Sequence, residues 1–228
     1  MPLALAQRKE HAMTDEMVAI FQHASWLAER GEYASSAAEY EKFLSQVETS
    51  SSTWSQKDRD FAVRSASFNL AQVYNHLGRF KEALNQVTTG LSCSPSLTGL
   101  AIAAAARGEA LCALDHVELG ERAFAQAVAA HPITGRLNAA DSMTRVTSKD
   151  MLDTAAQLLS EVEEIWKQEA AQSSSGPGSN RQTPELYTIR GKIFARRGQT
   201  AQAKEWFDKA LKVDSSYEDA KLQLRNLP

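Results

Sequence analysis

The chain has 228 residues and a net charge of −3, with 36 Ala against 11 Gly and 6 Pro. Gly plus Pro at about 7% lies well under the average of about 12%; Ala favours helices and Gly and Pro break them, so the composition points to an all-helical protein rather than an aromatic-rich β-sandwich. Two cysteines, no apolar run approaching ~20 residues and a slight acidic excess argue against a disulfide framework, a four-thiolate zinc site, a membrane span and a dedicated nucleic-acid binder.

In chain order, Leu3 to Ala6 precede the basic pair Arg8-Lys9, the reverse of a secretory signal, so a cytoplasmic location is the expectation and residues 1–13 read as a tail. Thr14 followed by Asp15 and Glu16 marks a helix N-terminus, where a hydroxyl caps and carboxylates meet the helix dipole. Residues 17–50 then show Ala24, Leu27, Gly31, Tyr33 and Tyr40, with Ser36 and Phe43 departing from the pattern of later segments. A polar tract at 49–53 follows. Residues 64–97 carry Leu70, Ala71, Tyr74, Gly78, Phe80, Ala83, Leu91 and Pro95. Residues 101–134 carry Gly108, Leu111, Gly120, Phe124, Ala127, Val128 and Pro132, with Asp115 where Gly would stand.

Residues 136–169 are either a degenerate further pair, through Ala155, Leu159 and Val162, or an irregular segment before one amphipathic helix capped near Thr147 or Ser148. Ser173 to Asn180 have linker composition and read as a flexible loop over 173–182. Residues 184–217 bring back the first pattern with Gly191, Phe194, Gly198, Ala203, Phe207, Ala210 and Leu211, and 217–227 has the polarity of an end helix.

Aligning Gly78 with Gly198 places Ala71 on Gly191, Tyr74 on Phe194 and Ala83 on Ala203. Each copy reads as helix, Gly turn, helix. This spacing resembles the tetratricopeptide repeat, a unit of about 34 residues in which small side chains let paired helices approach and large ones fill the gaps. The resemblance implies an all-α, right-handed superhelical solenoid of four to five antiparallel helix pairs with a C-terminal capping helix, one domain over 14–228.

Chemistry-bearing motifs do not accompany the repeats. His11, His23, His76, His116 and His131 form no i, i+4 pair, Cys93 and Cys112 form no CxxC, and neither a phosphate-cradling glycine loop nor a GxSxG elbow occurs. Glu161, Glu163 and Glu164 read as a solvated helix face. No catalytic residue, cofactor or metal ligand is therefore expected, and the protein reads as non-catalytic.

In the family it resembles, first helices line a concave groove. Carried over position by position, that implies Phe21, Gln22 and Ser25, then Phe68, Asn69, Gln72, Asn75 and His76, then Glu109, and finally Lys192 and Arg196. Side-chain amides can bond both donors and acceptors of an extended peptide. Of the cations and amides that clamp chaperone tails in one branch of the family, only Asn69 is present, whereas Ile102, Ala105 and Ala106 suggest an apolar segment or a neighbouring helix. The implied role is a protein–protein interaction module, an adaptor or scaffold subunit binding a partner's peptide or helix. Self-association is the alternative, and RNA would find support only in the basic stretch from Arg190 to Lys204.

Overall fold

The computed structural model describes residues 15–49, 54–93, 95–146, 148–172 and 183–228. The expectations for the 1–13 tail, Thr14, residues 50–53, Thr147 and the 173–182 loop fall outside these residues. Eleven helices and no strand occur among the described residues: α1 Asp15–Glu29, α2 Tyr33–Thr49, α3 Gln56–His76, α4 Phe80–Leu91, α5 Leu97–Ala113, α6 Val117–Ala130, α7 Thr134–Met143, α8 Lys149–Gln172, α9 Thr183–Arg196, α10 Thr200–Val213 and α11 Glu218–Asn226. Successive helices pack as five pairs, from α1 with α2 to α9 with α10. First helices stack on first helices, α3 on α5, α5 on α7 and α7 on α9, and α11 lies on the last pair. The fold is an all-α helical-repeat solenoid. No helix among the described residues is long and apolar enough to cross a membrane.

Four of the pairs share one turn. Gly31, Gly78 and Gly198 have φ of +79°, +72° and +74°, and Asp115 takes the same left-handed conformation at +64°. Each is followed by the same bond back into the first helix: Glu32 N–H to Leu27 O, Arg79 to Tyr74, His116 to Leu111 and Gln199 to Phe194, all 2.8–2.9 Å. This double closure satisfies carbonyls that a helix end leaves open, and it requires a residue that tolerates positive φ. Asp is among the few non-Gly residues that do.

Small residues govern the approach of the helices. A Cβ built on Gly108 would lie 2.6 Å from the Phe124 ring, and one on Gly191 would lie 2.4 Å from the Phe207 ring, so each aromatic of a second helix rests on bare backbone of the first. Ser36, a departure from Ala in the first repeat, is fully buried and donates to Ala24 O at 2.7 Å, so its hydroxyl is satisfied within the pair. Phe43, the other departure, is buried and meets the Phe21 ring edge-on at 5.4 Å.

Residues 136–169 fall on a helix pair. Its first helix, α7, has only 10 residues, whereas α8 has 24 and buries Ala155, Leu159 and Val162 completely. The short helix tucks in closely: a Cβ on Gly135 would stand 1.9 Å from Ala127 O. Backbone cannot give way as a flexible side chain does. Gly135→Ala is therefore expected to cost about 3 kcal/mol or more, because α6 and α7 must separate. Gly78→Ala, with nothing within 4 Å of the new methyl, should cost only the ~1 kcal/mol of a left-handed alanine. Urea denaturation of both variants checks the difference.

Candidate functional site

The concave face is built from the inner sides of the first helices. On α5 that side is small: Ala105 and Ala106 are each 1% exposed, covered by their neighbours α3 and α7. Asn75 Nδ2 of α3 donates to Ala106 O at 2.8 Å, and Gln72 Nε2 reaches over α5 to Asn138 Oδ1 of α7 at 3.4 Å. The array curls accordingly. A central cavity of about 380 Å³ has Ser25, Glu29, Tyr33, Asn69 and His76 on one wall and Asp141, Lys192, Tyr217 and Asp219 on the other.

A ladder of charges runs along the far wall. Arg145 grips Glu109 with two bonds, Nε to Oε1 at 2.7 Å and Nη2 to Oε2 at 2.9 Å, and its Nη1 donates to Asp141 Oδ2 at 2.6 Å. Lys192 Nζ continues the chain, to Asp141 Oδ1 at 2.7 Å and to Asp219 Oδ2 at 2.8 Å. Four elements, α5, the α7 end, α9 and α11, are thus tied together. Burial pushes the Asp141 carboxyl upward, but Arg145 and Lys192 together outweigh it and hold the group well below the usual carboxylate range. Burial likewise works against the Lys192 ammonium, and the carboxylates of Asp141 and Asp219 raise its pKa regardless.

The near wall is aromatic and amide-bearing. Tyr33 and His76 stack at 4.1 Å with planes 7° apart. Solvent reaches the imidazole, yet desolvation by the channel walls, followed by the charges of Arg145 and Lys192, lowers its pKa to about 3. It is neutral at physiological pH. The Tyr40 hydroxyl is a hub, within 2.8 Å of Ser25 Oγ and accepting from Asn69 Nδ2 at 3.0 Å.

Of the residues that sequence spacing assigned to the groove, Ser25, Asn69, Gln72, His76 and Lys192 line the central cavity, and exposed Arg196 borders the adjoining one. Glu109 faces inward but is committed to Arg145. Phe68 is buried in the core, where Gly90 and Gly99 leave a slot for its ring, and Asn75 is 4% exposed and holds α3 to α5. Phe21 packs against Tyr40 and Phe43, and Gln22 is exposed on α1. Asp141, Arg145, Tyr217 and Asp219 were not legible from spacing. Asp141 and Arg145 carry an i, i+4 signature, but that pattern alone describes an ordinary surface pair. No group of His, Cys, Asp and Glu able to hold a metal occurs among the described residues.

The ladder has measurable consequences. Arg145→Met strands Glu109, whose side chain is only 4% exposed, and should cost about 3–5 kcal/mol, with Glu109→Gln in the same chain restoring a large part. Glu185 responds to pH. Burial, then the charges of Asp141 and Asp219, raise its carboxyl from 4.5 to about 7 against the opposing pull of Lys192. The folded state thus binds a proton that the unfolded state releases near pH 4.5, so stability falls as pH rises from about 4.5 to 7. Glu185→Gln should therefore stabilise the protein by about 2–3 kcal/mol at pH 8 and hardly at all at pH 4, read from melts at the two pH values.

Residues 184–217 match the family model of the tetratricopeptide repeat. No curated protein matches the chain. Two solved structures are similar over nearly the whole length. One is YrrB, described as a tetratricopeptide-repeat protein with an unusual peptide-binding site, at 18% identity, covering 97% of this chain and 96% of that one, with a TM-score of 0.40. The other is a tetratricopeptide-repeat protein from Parabacteroides merdae ATCC 43184, at 20% identity, covering 98% and 88%, also with a TM-score of 0.40. The matched segment is the pair α9–α10, which reads as a tetratricopeptide repeat; its glycine turn recurs at Gly31 and Gly78, and its ring-on-glycine contact recurs at Gly108.

Proposed function

We propose that this protein is a non-catalytic interaction module, an adaptor or scaffold subunit of a larger assembly, which receives an extended peptide segment of a partner protein in its concave channel. The observation that carries this reading is the central cavity of about 380 Å³, where Asn69, Gln72, Ser25 and the Tyr33–His76 stack converge from α1, α2 and α3. Amides and hydroxyls supply both donors and acceptors to a peptide backbone, and the paired rings offer a flat apolar wall to a side chain. Lys192 is already held by Asp141 and Asp219, so a free carboxylate would have to compete for it, which disfavours a chaperone-tail clamp. The two thiols, Cys93 and Cys112, are buried and free, consistent with the cytoplasmic placement proposed here.

Affinity capture with mass spectrometry tests the reading. Gln72→Ala and Ser25→Ala should each lower recovery of one and the same partner by about tenfold, the effect of losing a hydrogen bond of about 1.4 kcal/mol. Arg122→Ala, exposed on α6, should not. Equal recovery in all variants would move the interface away from the channel, and a concentration-dependent mass in light scattering with no foreign partner would favour self-association instead.

A further inference from the structure

The apolar core comes in two parts. One cluster joins α1 to α4 with Ala103, Ala106 and Ala110 of α5. The other runs from Ala105 and Cys112 of α5 to Leu186, Ile189 and Ile193 of α9. The two halves therefore meet along α5, whose contributions to both are mostly alanines. Across the channel mouth the halves meet again through α11.

That helix has two working faces. Ala220 is fully buried on the last pair. Two residues on, roughly 200° around the helix, Leu222 points the other way and rests on the α1–α2 turn, its Cδ2 2.8 Å from where a Cβ on Gly31 would be. Asp219, on the same helix, holds Lys192 at 2.8 Å, and Tyr217 and Asp219 form part of the cavity wall that faces Ser25 and Tyr33. The last element thus reaches the first turn of the array, where Leu222 rests on Gly31.

We propose that α11 is an intramolecular clasp: seated on Gly31, it closes the concave channel by bridging the two halves, and whatever enters the channel first displaces it. The proposal rests on the channel being the binding site, and it assigns that site its regulation. Opening lifts Leu222 off the turn and parts Asp219 from Lys192, which keeps Asp141 as its partner, and losing Leu222 shifts the balance toward the open form without unfolding the repeats.

The test uses the full chain with Leu222→Asp, read by hydrogen exchange at residues 30–34 and by acylation of Lys192, followed by mass spectrometry. Lys192 has 12% of its side chain exposed in the closed form. Both rates should rise about tenfold, the equivalent of ~1.4 kcal/mol, while exchange within α9 and α10 stays as in the unmodified protein. Unchanged rates at both places would overturn the clasp. A parallel loss of protection throughout α9 and α10 would also overturn it, since α11 would then be an end cap that the last pair needs to fold. If both rates rise and yet no partner is captured more strongly by Leu222→Asp, the clasp stands and the peptide-channel reading falls.

Discussion

Everything in this molecule depends on how closely two helices can lie. Phe124 sits on Gly108 and Phe207 on Gly191, at distances that no Cβ would allow. With the side chain of one helix removed, the partner's ring takes its place, and the pair becomes a rigid plate with a buried aromatic at its centre. The left-handed turn at Gly31, Gly78, Asp115 and Gly198 reverses the chain quickly enough to keep the helices at that separation. Stacking of such plates, first helix on first helix, then follows.

The same constraint acts between pairs. Alanines on the inner side of α5 let α3 and α7 close over it, which tightens the curl until α11 reaches the first turn. Tight curling brings charges together that would otherwise face solvent. Five of them, from Glu109 through Arg145, Asp141 and Lys192 to Asp219, satisfy one another in sequence. Partial burial raises the penalty for any member left alone, so the ladder holds the far wall in one arrangement more than it adds to stability. Its near neighbour Glu185 keeps its proton to about pH 7, because burial and the charges of Asp141 and Asp219 outweigh the pull of Lys192.

These features give the concave face an asymmetric character. The near wall carries neutral amides, hydroxyls and the Tyr33–His76 stack, whereas the far wall is a ladder of paired charges. A groove assigned by repeat position alone would treat both walls alike. Phe68 shows why such assignment has limits: glycines at positions 90 and 99 open a slot that draws the ring inward, out of the groove. Asn75 is similar, since the nearby Ala106 carbonyl claims its amide.

The content of each repeat is written locally in the chain. The helices, the glycine turns, the pairing of small residue with aromatic and the repeat at 184–217 all depend on residues within about 34 positions of one another, where helical geometry fixes who meets whom. The curvature, and with it the encounters between repeats, arises only once the pairs are stacked. Lys192 meets Asp141 across 51 positions, and Leu222 meets Gly31 across about 190. Such meetings depend on small rotations summed over five plates, each set by side chains of slightly different size, and no local pattern in the chain records that sum.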